Sequence, residues 1–154
     1  MMKDLDRIDR RILQALQEDG RIQNVELAEK VGLSPSPCLR RVKHLEESGV
    51  IEKYVAVLDA PKIGLGLTVF VRIWLKSQDA QTIEAFTAEV MQLDEIVECH
   101  LMVGDCDFLL RVVAADLDAY RKFQGEYLTR IKGVQSVKSE LPMQKIKMTS
   151  KLPL

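Results

Sequence analysis

The 154-residue chain is 47% hydrophobic and 29% charged, enough apolar material for one domain or two small ones of ordinary globular composition. Its formal net charge of -1 argues against a protein that coats nucleic acid indiscriminately, but a specific reader needs only a local basic surface. No apolar run approaches the roughly 20 residues that span a bilayer, and the start MMKDLDRIDRR is polar, so neither a membrane partner nor a secretory signal is expected and the expected location is cytoplasmic.

Residues 4–19 predict a first helix, with Leu5, Ile8, Ile12, Leu13 and Leu16 on one apolar face, Asp4 as a candidate cap and Gly20 as the stop. Its polar face mixes Arg7, Arg10 and Arg11 with Asp6 and Asp9, charges expected to pair along the helix more than to meet phosphates.

Residues 24–49, NVELAEKVGLSPSPCLRRVKHLEESG, predict two short helices around a glycine turn. Asn24 is the expected N-cap of the first, Glu26 suits its positive end, Leu27, Ala28 and Val31 form an apolar stripe, and Gly32 ends it. The second must begin within SPSP, since proline is tolerated only in a first turn. Pro37 disfavours a helical Ser36, which makes Ser36 the preferred cap, with Ser34 before Pro35 as the other choice. Cys38, Leu39, Val42 and Leu45 are expected inward, leaving Ser36, Arg40, Arg41, Lys43, His44 and Glu47 outward.

A close approach at Ala28, a sharp turn at Gly32 and a core return at Cys38 are what a helix-turn-helix requires. The expected partner is double-stranded DNA. Ser34, Ser36, Arg40 and Arg41 would address base edges from the start of the second helix, with Lys43 and His44 nearer the backbone. The plainer reading is a helical hairpin with a solvated basic face.

Beyond Gly49, residues 50–58 (VIEKYVAVL) have the β-branched content of a strand, implying a winged or tethered arrangement. One proline and two glycines at 61–66 mark a hinge, dividing the chain into a DNA-binding domain with linker strand at 1–60 and a second domain at 67–154. Gly64 and Gly66 lack the third glycine and the following helix of a dinucleotide loop. Strands at 67–76, 95–103, 107–114 and 134–146 and helices at 81–91 and 117–131 give the order βαββαβ, that of a ferredoxin-like sandwich. The fold class is therefore α+β. Along 67–75, Leu67, Val69, Val71, Ile73 and Leu75 alternate with Phe70 and Trp74, so the sheet face away from the helices is also apolar and calls for a two-fold dimer.

Catalytic and metal chemistries find little footing. A metal site of Cys99, His100 and Cys106 is not expected, because the adjacent strand residues Cys99 and His100 point to opposite faces and no close ligand pair recurs elsewhere, and no cofactor motif is present. His44 lies on the outward helix face and His100 in a strand without a nucleophile elbow, so no enzyme is expected. Three cysteines make an odd, sparse set of reduced thiols.

With these residues in place the chain resembles the Lrp/AsnC, or feast/famine, family of transcription regulators. The resemblance is carried by LDRIDRRILQALQEDGRIQNVELAEKVGLSPSPCLRRVKHLEESGVI at 5–51, IGLGL at 63–67 and ECHLMVGDCDFLLRV at 98–112. It implies an N-terminal helix-turn-helix, a β-linker and a ferredoxin-like domain that forms homodimers, often octamers, and commonly senses an amino acid. It also implies an effector site between dimers, near the turn at Met102, Gly104, Asp105 and Asp107, where bared N–H groups hold a carboxylate and an aspartate takes the ammonium. The family's GVxxTxT pattern falls on 133–139, with Val137 in place of one hydroxyl and Ser139 keeping the other, so both join the expected effector set. The lost hydroxyl favours an apolar or sulfur-containing effector such as leucine or methionine. Two other functions fit the same outline: an octameric architectural protein that organises DNA with little ligand control, and a small-molecule-binding enzyme regulator, which the helix-turn-helix disfavours.

Overall fold

Three apolar stripes of helical period converge to make the first of two compact units in the computed structural model, which describes residues 5–154. The stripes belong to α1 (Arg7–Glu18), α2 (Asn24–Val31) and α3 (Pro35–Glu47). They bury Ile12, Leu13, Leu27, Ala28, Val31, Cys38 and Leu45, with Ile8, Leu16, Leu33, Val42 and Ile51 packed around them.

The helix starts differ from those expected. Asp4 lies outside the described residues; the cap of α1 is Asp6, whose carboxylate accepts the N–H of Asp9 at 2.8 Å. Gln23, not Asn24, precedes α2, and Asn24 sits inside the first turn, where its Nδ2 donates to the Pro35 carbonyl at 2.8 Å and ties the start of α2 to the start of α3. Ser34 is the cap of α3, with Pro35 first in the helix; Pro37 is accommodated because N–H groups of a first turn need no helical partner. Gly32 closes α2 in the left-handed region at φ 76°. Leu39, expected inward, is 43% exposed.

Residues 50–58 form no strand among the described residues. Their β propensity is real, but a strand exists only when a neighbour supplies its ladder hydrogen bonds.

The second unit, Leu58–Ile146, has the βαββαβ order. Its elements are β1 (Leu67–Leu75), α4 (Ala80–Val90), β2 (Ile96–Leu101), β3 (Phe108–Ala114), α5 (Leu117–Glu126) and β4 (Val134–Glu140), and the antiparallel sheet has the order β2-β3-β1-β4. The helix expected to reach 131 ends at Glu126 and tightens into a 3-10 turn, Leu128–Arg130, with Leu128 and Ile131 both buried. The last strand ends before Pro142, which has no N–H to donate, rather than at 146.

Strand alternation divides the sheet. Val69, Val71, Ile73 and Leu75 of β1 and Phe108, Leu110, Val112 and Ala114 of β3 pack beneath Phe86, Val90, Tyr120 and Phe123 of the helices. The rings of Phe86 and Phe108 stand 4.4 Å apart between centroids. Phe70, Arg72 and Trp74 occupy the other face, away from α4 and α5.

Residues 147–154, expected with the second domain, belong instead to the first unit, with the chain through Val57. They are held along α1 by a two-way clasp in which the Gln17 amide donates to Leu152 O at 3.1 Å and accepts its N–H at 2.6 Å. Gln14 Nε2 donates to Leu154 O at 3.0 Å, and Lys151 Nζ reaches Glu18 at 2.9 Å, holding that carboxyl below its ordinary pKa.

Phe86→Ala removes a fully buried ring from the second unit and is expected to lower its unfolding free energy by about 3–5 kcal/mol. Urea denaturation followed by far-UV circular dichroism measures this, and an unshifted midpoint would contradict the packing.

Candidate DNA interface and effector pocket

Helix α3 buries Cys38 and Leu45, and its period then turns Ser36, Arg40, Lys43 and His44 to solvent, with Ser34 exposed at its cap. No acidic residue occupies its first turn, so the positive end of the helix is not neutralised locally. Because Pro35 and Pro37 lack N–H groups, Ser36 alone offers one in the first three helical positions. The Ser34 hydroxyl makes no capping bond and remains available.

Arg41 is occupied elsewhere. Its Nη1 donates to Asp6 at 2.7 Å and to Asp9 at 2.8 Å, tying α3 to the start of α1. The backbone N–H of Asp9 and then Arg41 hold the Asp6 carboxyl below its ordinary range, while hydrogen bonds to Asp6 and Asp9 raise the arginine. Of the six residues expected at DNA, five are presented to solvent and Arg41 positions the helix. Arg11 is also structural: it donates to Lys30 O at 2.8 Å, satisfying a carbonyl in the last turn of α2.

In the second unit the turn from β2 to β3 is pinned by backbone and side chain together. Met102 N–H donates to Asp107 O at 2.8 Å, Asp107 N–H donates to Ile73 O at 2.9 Å, and Trp74 Nε1 donates to Asp105 O at 2.7 Å. Gly104, at φ 146°, lets the chain reverse between them. A pocket of about 210 Å³ opens there, lined by Arg72, Met102, Val103, Gly104, Asp105, Cys106 and Leu109. Arg72 spans from Glu140, at 3.2 Å, to Asp105, at a loose 4.0 Å. Its signal in the sequence is a lone arginine in the apolar run FVRIW, which the sequence reading passed over.

The expected effector residues are only partly brought together. Met102, Gly104 and Asp105 share the pocket. Asp107 turns its carboxylate away, accepting the Leu75 N–H at 2.7 Å and the Gln78 amide at 3.3 Å, and so anchors the turn. Val137 and Ser139 pair with Ile73 and Val71, which face the helices, so parity carries both to the covered side of the sheet. Val137 packs on the core there, while the Ser139 hydroxyl bonds the Tyr120 hydroxyl and accepts from Gln124 at 3.3 Å. Burial raises the Tyr120 pKa and its bond to Ser139 partly opposes that. A second cleft, of about 240 Å³ between the ends of α4 and α5, gathers none of the expected residues.

Residues 5–52 match the family described as winged helix-turn-helix DNA-binding, and residues 68–152 match the Lrp/AsnC ligand binding domain. The leucine-responsive regulatory protein of Salmonella typhimurium is 49% identical over 150 residues, covering 97% of this chain and 92% of that protein. Its Escherichia coli (strain K12) counterpart is 48% identical with the same coverage. Among solved structures, the transcriptional regulator NMB0573 of Neisseria meningitidis, in complex with L-Met, superposes with a TM-score of 0.93 at 41% identity, covering 97% of this chain and 96% of that one. An AsnC family transcriptional regulator from Agrobacterium tumefaciens gives 0.91 at 43% identity, covering 96% of each chain.

The Asp6 contribution has a defined pH sign. A carboxyl whose folded pKa is depressed stabilises the fold above its ordinary value of 3.8, and that stability is lost as pH falls through the lower folded value. Arg41→Ala is expected to lower the melting temperature of the full chain near neutral pH and to shrink the acid dependence below about pH 4. Thermal melts of both proteins at several pH values check this; identical acid profiles would show that Arg41 does not stabilise the charged carboxylate.

Proposed function

Since the chain belongs to the Lrp/AsnC family of ligand-modulated, DNA-binding transcription regulators, we propose that leucine or methionine is its effector, binding at the turn between β2 and β3 and altering how α3 holds DNA. The observation that carries this is the pocket at that turn, which brings the Asp105 carboxylate and the Arg72 side chain beside the apolar Met102, Val103 and Leu109. In this reading Asp105 takes the ammonium and the turn amides take the carboxylate, while Met102, Val103 and Leu109 receive the side chain. The apolar preference rests on those three residues, because Val137 packs against the core on the covered face of the sheet. The leucine-responsive relatives and the neighbour complexed with L-Met support the same chemistry.

Arg40, with Ser34 and Ser36, addresses base edges, and Lys43 and His44 lie toward phosphates. The chain works as a homodimer through the open sheet face of Phe70 and Trp74, placing two copies of α3 on half-sites about 34 Å apart, and the dimers assemble further toward an octamer. Its place of work is the cytoplasm, beside DNA, and it switches by binding rather than by catalysis. The effector acts by binding one assembly more tightly than another, since equal affinity for both would shift nothing.

Isothermal titration of the full chain with L-leucine, L-methionine and L-lysine tests the effector. Leucine or methionine is expected to bind more tightly than lysine, and Asp105→Ala to weaken binding by about 10- to 100-fold through loss of a charge-assisted hydrogen bond. Silence toward all three would remove leucine and methionine as effectors and favour the DNA-organising alternative.

Arg40→Ala is expected to weaken binding to a selected duplex by about 1–3 kcal/mol without changing the melting temperature. Unaltered affinity for specific and random DNA alike would remove Arg40 from the interface. Sedimentation of the full chain is expected to show a dimer or larger species, and a stable monomer would contradict the sheet-to-sheet pairing.

A further inference from the structure

We propose that Leu39 reads the C5-methyl group of a thymine in the major groove, a role that rests on the DNA-binding assignment of α3 above. Leu39 is the one large apolar side chain of α3 that stands exposed, at 43%. Single surface leucines are ordinary on proteins. This one lies where an apolar group has a specific use.

Ser36 precedes Leu39 by three residues and Lys43 follows it by four, so the three lie in adjoining turns on one side of the helix, with exposed Arg40 beside them. Leu39 is the fifth residue of α3, about 6 Å along the axis from Pro35 and within the N-terminal stretch that reaches base edges in this kind of docking. Its direction is fixed. Rolling Leu39 into the core would expose Cys38, which is fully buried, and would pull Arg41 away from Asp6 and Asp9.

Among the four bases thymine alone carries a methyl group into the major groove, and an apolar side chain is what discriminates it from cytosine or from a polar edge. The serine and arginine on either side then supply hydrogen bonds to neighbouring bases, while Leu39 adds a contact that water cannot replace.

The test uses the full chain and a duplex that it selects from a random-sequence library. Each thymine of that duplex is replaced in turn by uracil, which removes only the methyl group. Wild type is expected to lose about three- to tenfold in affinity at one thymine per half-site, the change that goes with burying about one methyl-sized group. Leu39→Ala is expected to melt as wild type does and to bind the thymine and uracil duplexes equally, while Leu39→Met keeps the discrimination. Arg40→Ala is expected to bind more weakly and still prefer thymine. A wild type indifferent to uracil at every position, or a Leu39→Ala variant that keeps the thymine preference, overturns the role of Leu39 and leaves DNA binding intact. A chain that retains no duplex at all overturns the DNA assignment itself, and this inference with it, while one that binds DNA without selecting any sequence overturns this inference alone.

Discussion

The rotational phase of α3 about its own axis decides what the N-terminal unit shows to the outside. Two buried side chains fix it, Cys38 at 0% exposure and Leu45 at 2%. Removing a leucine side chain from water is worth about 1.5–3 kcal/mol, so a roll that exposed either residue would erode a large part of a small unit's stability. Arg41 adds a directional lock from the side, joining α3 to the carboxylates of α1. With the phase fixed, the outward set follows from a period of 3.6 residues.

In the second unit the corresponding constraint is the two-residue period of a strand. Val69, Val71, Ile73 and Leu75 must lie beneath the helices, which obliges Phe70, Arg72 and Trp74 to take the other face. The register of β4 on β1 extends the same parity to Val137 and Ser139. A turn that opens beside Arg72 and a hydroxyl that faces Tyr120 therefore belong to different sides of one sheet, however alike their places in a sequence pattern.

Periodicity alone carried most of the fold: the three helices of the first unit, the order βαββαβ and the residues of both cores were readable because apolar burial writes its period directly into the chain. What was misplaced depended on partners remote in sequence. Arg41 was counted with the outward charges because its carboxylates lie 35 and 32 residues away. The caps moved by one or two residues because a tertiary bond, such as Asn24 to Pro35, decides which residue enters the first turn. Residues 50–58 have the composition of a strand, but among the described residues of the chain no segment pairs with them. Leu39 has the hydrophobicity of an inward residue but the helical phase of a surface one, and Val137 and Ser139 match a sequence pattern that is silent about the strand parity carrying them to the covered face. Arg72 was missed because an arginine in a strand looks like a solvated edge until the turn beside it is built.

The clasp of residues 147–154 along α1 bears on the order in which this molecule is finished. The chain leaves its first unit after Val57 and re-enters it at Lys147, so the sheet domain is topologically an insertion between two parts of the DNA-reading unit. A ribosome delivers α1, α2 and α3 first, yet Gln14, Gln17 and Glu18 must wait for partners that are translated only after the whole insertion. α1 thus precedes the sheet domain along the chain yet gains these partners only after it, so the clasp closes later in synthesis than the core of α1, α2 and α3.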